Sequence, residues 1–183
     1  MKYGIVGAGP VGSILAVHLV EAGQEVYLVD IWKEHLDAIL KGGIQLSGVR
    51  EGQARVAGGF LKITGLKAVK PDFLVLSVKA CALRHIMHEV EEALGPETVI
   101  VSLQNGLDTE ELIAHTFNRH RILRVVINYA GNIRKPGEVA VNFFNKPNHV
   151  GCNCKKDLCE HATAFAEMLT GVCLDTRAEP DIK

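Results

Sequence analysis

The chain has 183 residues, enough for one well-buried domain and too few for two of ordinary size, so we expect a single domain over residues 1–183. Lys and Arg total 20 against 21 Asp and Glu, a formal net charge of −1. This balance argues against a nucleic acid partner and favours a small molecule. The five cysteines are scattered, unlike those of a small secreted domain, so we expect a cytoplasmic protein.

The apolar N-terminal stretch differs from a signal peptide, because Gly7, Gly9, Pro10 and Gly12 interrupt it. No uninterrupted apolar run reaches the roughly 18 residues of a membrane span. The sequence therefore predicts no membrane association.

Short β-rich runs alternate with helical stretches along the chain, which predicts an α/β fold with a doubly wound, mostly parallel sheet. Strands are predicted at residues 3–6, 25–30, 73–78, 98–103 and 122–128, and helices at 11–22, 33–41, 82–94 and 109–117. Gly23, Gly42 and Gly95 follow the first three helices, as expected of residues that take a left-handed C-terminal position.

After about residue 136 the alternation of strands and helices gives way to a different pattern. The stretches "PGEVAVNFF" (136–144) and "HVGC" (149–152) predict further strands that extend the sheet at one edge in antiparallel orientation. A last helix is predicted at 155–169, and no element is predicted in "LDTRAEPDIK".

A glycine-rich turn, Gly7-Ala8-Gly9-Pro10-Val11-Gly12, joins the first strand to the first helix. Gly7 permits a tight turn, Gly9 lets the backbone approach a pyrophosphate, and Gly12 lets the helix pack closely on the strand. The helix N-terminus offers free N–H groups and a partial positive charge. Together these features predict a dinucleotide site of the Rossmann type; the alternative is a purely structural turn.

Asp30 stands at the end of the second strand, where an acid of this motif accepts hydrogen bonds from the adenosine ribose. Such a carboxylate repels a 2′-phosphate and favours NAD over NADP. The alternative is an acid that caps the helix beginning near Lys33. Lys33 leaves NADP as the alternative cofactor, since its ammonium could pair with a 2′-phosphate.

Lys79 and Asn105 follow the third and fourth predicted strands, in "VLSVKACAL" and "VSLQNGLDTEEL". The carboxyl ends of parallel strands border the ligand crevice, so both side chains are candidates for contact with cofactor and substrate. The alternatives are a solvated lysine and an ordinary Asn-Gly turn.

The motifs "GIVGAGPVG", "VLSVKA" and "QNGLDTEEL", in this order and spacing, resemble the N-terminal half of the ketopantoate reductases (2-dehydropantoate 2-reductases). The resemblance implies reduction of 2-dehydropantoate to pantoate, in pantothenate and coenzyme A synthesis, with a nicotinamide cofactor, usually NADPH. It places the pyrophosphate at residues 7–12 and makes Lys79 and Asn105 line the crevice. The stretch "NYAGN" matches a family loop beside the cofactor, which adds Gly131 as a candidate.

The chain departs from the family at two places. Ile31 stands where many members carry an Arg that pairs with the 2′-phosphate, so cofactor choice is expected to move towards NADH. The family's proton-donating Lys and its substrate-binding residues lie in a C-terminal helical domain that begins beyond Lys183. We therefore expect no catalytic residue in this chain, dinucleotide binding with little turnover by the chain alone, and apolar surface that favours a homodimer.

Two alternatives stay open at this point: a related dehydrogenase of another 2-oxo or hydroxy acid, and a non-catalytic NAD(P)-binding module. No metal site is expected. Cys152, Cys154 and Cys159 lie close together with only His161 nearby, and His85 and His88 fit a solvated helix face. His18 is expected to be a packed histidine, and thiol chemistry at Cys81 is not expected.

Overall fold

The computed structural model describes residues 1–106, 109–152, 159–180 and 182. Its strands are β1 (Lys2–Val6), β2 (Glu25–Val29), β3 (Ile44–Gly48), β4 (Gly52–Ala54), β5 (Gly58–Phe60), β6 (Phe73–Leu76), β7 (Val99–Ser102), β8 (Ile122–Val126), β9 (Tyr129–Lys135), β10 (Glu138–Phe144), β11 (Asn148–Cys152) and β12 (Thr176–Ala178). Its α-helices are α1 (Pro10–Glu21), α2 (Lys33–Gly42), α3 (Ala80–Ala93), α4 (Thr109–Ala114) and α5 (Glu160–Gly171).

The main sheet has the strand order β12-β11-β8-β7-β6-β1-β2-β5. Neighbouring strands from β8 to β5 all pair in parallel, and β11 alone runs antiparallel to its neighbour β8. The inner strands β6 (FLVL) and β7 (VIVS) are buried at every position, because helices cover both faces of a parallel sheet. The predicted mostly parallel α/β sheet is therefore confirmed.

A second sheet has the order β4-β3-β10-β9. The prediction that "PGEVAVNFF" extends the main sheet is wrong: β10 pairs in parallel with β3 and antiparallel with β9. The prediction for "HVGC" is confirmed, since β11 joins the main sheet antiparallel to β8.

Helix α1 packs against strands of both sheets, and every residue from Gly12 to Leu19 is buried. A helix that is apolar on all sides needs cover on all sides. The second sheet supplies the cover that the main sheet leaves open, with Val139 and Val141 of β10 fully or almost fully buried.

The helix ends follow the glycine prediction in part. Gly23 has a positive φ of 72° just beyond α1, as expected. Gly42 instead lies inside α2, and Gly43 takes the positive φ of 85°. Helix α3 ends at Ala93, and Leu94 continues as extended chain, so Gly95 caps nothing in the left-handed conformation.

Three further differences lie towards the C-terminus. Helix α4 ends at Ala114, short of the expected residue 117. Helix α5 begins at Glu160, and the predicted start at residue 155 lies outside the described residues. The stretch "LDTRAEPDIK" contains strand β12, which pairs in parallel with β11 and was not predicted. Within the described residues, no helix combines the length and apolar character needed to cross a membrane.

Candidate functional site

The glycine-rich turn lies between β1 and α1, and packing requires two of its glycines. Gly7 has a φ of 100°, which disfavours any residue with a Cβ. A Cβ on Gly12 would lie 2.1 Å from the Gly7 carbonyl oxygen and 2.6 Å from Ser77 Oγ. The tight turn and the close approach of helix to strand are both present, as their spacing predicts.

Gly9 serves a different purpose, because a Cβ added there meets no atom of the chain within 4 Å. Its φ of −61° and ψ of −177° are open to any residue. The first N–H groups of α1, at Val11 and Gly12, have no acceptor within the helix. The outer side of the turn is thus an open surface with helix N–H groups, suited to an anion.

Asp30 follows β2 beside this turn. Its Oδ2 accepts a hydrogen bond from the Ala8 N–H at 2.7 Å, and its Oδ1 accepts one from the Trp32 N–H at 2.8 Å. The N-cap residue of α2 is Trp32, and it makes no side-chain cap. Each carboxylate oxygen has a further lone pair, so Asp30 can still accept from hydroxyl groups of a ligand.

A cavity of about 400 Å³ opens next to Gly7 and Asp30 at the carboxyl ends of β1, β2 and β6. Sequence reasoning identified Gly7, Asp30 and Ile31 there but missed the residues after β5 and on α3. The missed lining residues are Leu61, Lys62, Ile63, Val78, Ala82, Ile86 and Glu89. The helical spacing of 82, 86 and 89 after a strand end could have indicated the α3 wall.

The walls of this cavity carry charge of both signs. Asp30 and Glu89 are acidic and Lys62 is basic, while Ile31 is 93% exposed. Lys33, the other predicted cation, forms an ion pair with Asp37 one turn along α2. Lys62 is therefore the lysine that lines the cavity itself, and Lys33 does not belong to that lining.

Lys79 and Asn105 lie at the same edge of the main sheet. Leu76 of β6 and Ser102 of β7 are paired in register, and each candidate stands three residues beyond its strand. Lys79 is the N-cap residue of α3, and both side chains are exposed. The topology thus places an ammonium and an amide at neighbouring strand ends.

A buried polar network lies behind Asn105. Arg124 donates to Glu110 Oε2 at 2.6 Å and to the Gly106 carbonyl at 3.1 Å, and its ion pair with Glu110 is about nine-tenths buried. Ser102 Oγ donates to Gln104 Oε1 at 2.5 Å. These bonds hold the Gln104 side chain before Asn105 and the Gly106 carbonyl after it; residues 107 and 108 lie outside the described part.

Gly131 lies in strand β9, so the expectation of a loop at "NYAGN" is wrong. A Cβ on Gly131 would lie 2.5 Å from the Ala140 carbonyl oxygen of β10. Close packing across the β9–β10 pair is therefore sufficient reason for this glycine, and a cofactor contact there stays a prediction.

The other singled-out residues lie elsewhere. His18 is fully buried, donates from Nδ1 to the Ile14 carbonyl at 2.8 Å and stacks on Phe144, so the expected packed histidine is confirmed. His85, His88 and Cys81 lie on the exposed part of α3. Among the described residues no group of three or more His, Cys, Asp or Glu could hold a metal ion, and Cys154 lies outside them.

A larger cavity, of about 1030 Å³, lies at the opposite, amino-terminal end of β1, β6 and β7. Its floor consists of buried aromatic rings, with Tyr3 stacked on Phe73 at 4.9 Å. Burial is the main reason that the pKa of Tyr3 is raised, and the charge of Asp72 adds to it. Because ligands of doubly wound sheets bind at the carboxyl ends of strands, the smaller cavity is the better candidate site.

Comparison with known sequences gives a consistent result. The family model described as "Ketopantoate reductase PanE/ApbA" matches residues 3–153. A 2-dehydropantoate 2-reductase of Streptococcus pyogenes serotype M1 is 27% identical over 133 residues, which are 73% of this chain and 42% of the relative. One from Pyrococcus horikoshii is 29% identical over 113 residues, 62% of this chain and 36% of the relative. The chain thus spans about two fifths of the length of these curated relatives.

Solved structures share the fold. The 2-dehydropantoate 2-reductase from Geobacter metallireducens GS-15 superposes with a TM-score of 0.85 at 22% identity, over 99% of this chain and 58% of that one. A D-mandelate dehydrogenase in complex with NADH has a TM-score of 0.79 at 26% identity, over 100% of this chain and 56% of that one. With its family match over most of its length, the chain belongs to the ketopantoate reductase (PanE/ApbA) family.

Proposed function

We propose that this chain is the cofactor-binding part of an NAD(P)H-dependent reductase that converts 2-dehydropantoate to pantoate. The observation that carries the proposal is the open helix N-terminus at Gly9 directly beside a cavity that Asp30 borders. A dinucleotide needs an anion site for its pyrophosphate, a cavity for its adenosine and an acid for its ribose, and all three features are present here. The activity itself comes from the named relatives, of which this chain spans less than half.

Different residues of the site contact different parts of the dinucleotide. The pyrophosphate lies on the N–H groups at the start of α1, the adenosine fills the 400 Å³ cavity, and Asp30 accepts from the ribose hydroxyls. Lys79 and Asn105, one strand end further along the sheet, lie towards the nicotinamide and the substrate carboxylate. The nicotinamide, when bound, supplies a hydride to the C2 ketone.

We propose NADH as the preferred cofactor. The Asp30 carboxylate repels a 2′-phosphate, and Ile31 offers it no charge. The 26% identical D-mandelate dehydrogenase was solved with NADH. Lys62 opposes this preference because it brings an ammonium to the same cavity, but both Asp30 and Glu89 lie there to balance it.

Calorimetric titration of the purified chain with NADH and NADPH at one ionic strength tests both the site and the preference. We expect NADH to bind at least about tenfold more tightly than NADPH. Ile31→Arg should reduce or reverse this ratio of affinities, since an exposed guanidinium there can pair with a 2′-phosphate. Val49→Arg, which adds the same charge at a 65% exposed position of the β3–β4 turn, is the control and is expected to keep the wild-type ratio.

Tighter binding of NADPH by the unaltered chain would contradict the role of Asp30 and assign the choice to Lys62. Binding of neither cofactor would contradict the proposed function and leave the glycine-rich turn as a structural feature.

A second candidate function is reduction of another 2-oxo acid, which the likeness to D-mandelate dehydrogenase favours. Activity assays that compare 2-dehydropantoate with phenylglyoxylate distinguish the two. A non-catalytic NAD(P)-binding module would bind cofactor and reduce neither acid. Cytoplasmic location and assembly as a homodimer stay predictions; the exposed free thiols of Cys81 and Cys173 fit a reducing compartment, and sedimentation of the purified chain measures its assembly.

A further inference from the structure

His35 is a buried histidine on α2 that the proposed function does not use. Its side chain is 1% exposed. Nε2 lies 2.9 Å from the Ala8 carbonyl oxygen, and Nδ1 accepts a hydrogen bond from the Gly137 N–H at 3.2 Å. A carbonyl can only accept and a backbone N–H can only donate, so the ring is neutral with its proton on Nε2.

The bond to Ala8 fixes one peptide group of the glycine-rich turn. The Ala8 carbonyl also accepts from Ser13 Oγ at 2.7 Å, so two buried donors hold this oxygen inside the protein. In a planar trans peptide the N–H lies opposite the C=O. The N–H of Gly9 is therefore directed away from these two buried donors, and a Cβ on the same residue would meet no atom of the chain within 4 Å.

The other ring nitrogen ties the turn to the second sheet. Gly137 lies between β9 and β10 with a φ of 82°, and it is buried. Its N–H donates to His35, and its carbonyl accepts from the Gln45 N–H of β3 at 2.9 Å. His35 thus connects the hairpin turn of one sheet to the phosphate-facing turn of the other.

We propose that His35 is a positioning residue for the dinucleotide: through the Ala8 carbonyl it aims the Gly9 N–H at the pyrophosphate, with the second sheet as its support. This rests on the proposed function in that it takes the turn to hold a pyrophosphate. The role is orientation of a donor, which is distinct from a contribution to folding stability alone.

Two substitutions separate the two ring nitrogens. His35→Gln places an amide N–H near the position of Nε2 and keeps the bond to Ala8, whereas His35→Asn places an acceptor near Nδ1 and keeps only the bond to Gly137. Each variant loses the aromatic ring and one of its two hydrogen bonds, so we expect both to lower the free energy of unfolding measured in urea. By calorimetry, we expect His35→Asn to weaken NADH binding about tenfold or more and His35→Gln to stay within about threefold of wild type. Equal NADH affinity of the two variants would overturn the proposal.

A measurement without cofactor keeps the two proposals distinguishable. In ¹⁵N–¹H spectra of the free 19.9 kDa chain, His35→Asn should shift the Gly9 amide resonance, while His35→Gln should leave Gly9 near its wild-type position and instead affect Gly137. If the wild-type chain binds no NADH, the proposed function fails, and the spectra alone decide whether His35 orients Gly9. The same response of Gly9 to both substitutions would refute that orientation.

Discussion

Two glycines of the same turn are expected to differ in role: Gly12 is required for the fold and Gly9 for the ligand. A Cβ on Gly12 would lie 2.1 Å from a backbone oxygen, whereas a Cβ on Gly9 would meet nothing within 4 Å. We expect Gly12→Ala to lower the free energy of unfolding by about 3 kcal/mol, because helix and strand must separate. Gly9→Ala should change it by less than about 1 kcal/mol, since its backbone angles suit any residue.

The variant that keeps its stability, Gly9→Ala, is the one expected to lose affinity for NADH. Gly9→Ala is expected to weaken NADH binding about tenfold or more while the fold stays intact, because the new methyl group occupies the surface that the pyrophosphate approaches. Urea unfolding and calorimetry on both variants check the pair. A Gly9→Ala chain with wild-type NADH affinity would show that the pyrophosphate lies elsewhere.

Single residues of the site could be predicted from the sequence only where a motif fixed their spacing. Gly7, Gly12 and Asp30 follow from a strand, a turn and a second strand in order. Lys62 and Glu89 could not be found that way. Lys62 follows β5, a three-residue strand of sequence GGF, and Glu89 lies in the third turn of α3. His35 escaped notice because its partners are backbone groups 27 and 102 residues distant in sequence.

At the scale of elements, α1 places a histidine where no water reaches it. Burial is the main cause of the lowered pKa of His18, and Nε2 has no hydrogen-bond partner among the described residues. The unfolded chain takes up a proton near pH 6.5, whereas the folded chain does so only at lower pH. The stability that His18 contributes is therefore present above about pH 6.5 and is lost as the pH falls.

The test compares urea unfolding at pH 7.5 and pH 5.5. We expect His18→Leu to reduce the loss of stability between pH 7.5 and pH 5.5 by up to about 1.4 kcal/mol, and to leave the stability at pH 7.5 within about 1 kcal/mol of wild type. His85→Gln, on the exposed part of α3, is the matched control for loss of an imidazole. An unchanged loss of stability in His18→Leu would mean that His18 titrates alike in the folded and unfolded chains.

Elements with a continuous apolar run or a clear helical period were predictable, and those with neither were not. Strands β1, β2, β6, β7 and β8 were all identified, since burial on both faces imposes runs such as FLVL and VIVS. Strand β10 was recognised as a strand but assigned to the wrong sheet, because its partner β3 lies about ninety residues earlier. The apolar residues on every side of α1 were the available sign of a second covering layer.

At the scale of the whole molecule, binding and turnover are expected to separate. Lys79 and Asn105 each stand three residues beyond one of two paired strands, and hydride transfer to a ketone needs a donor for the developing alkoxide. We expect the 183-residue chain to bind NADH and yet to reduce 2-dehydropantoate very slowly or not at all. Following NADH consumption at saturating 2-oxo acid measures this directly.

The outcome tests whether Lys79 supplies the proton. Turnover comparable to that of the full-length family enzymes would mean that Lys79 serves as the acid, and Lys79→Met would then abolish it. Negligible turnover by these 183 residues would contradict a role of Lys79 as an efficient acid.

The fluorescence of Trp32, whose ring stacks on His35, can report on cofactor binding. Trp32 is the only tryptophan of the sequence, is 43% exposed, and stacks on His35 with ring centroids 5.1 Å apart. Its emission therefore arises from a single fluorophore, which lies in the sequence between Asp30, the proposed ribose acceptor, and His35, the proposed positioning residue. Unlabelled protein suffices to follow cofactor arrival by energy transfer to reduced nicotinamide, in real time and at micromolar concentration.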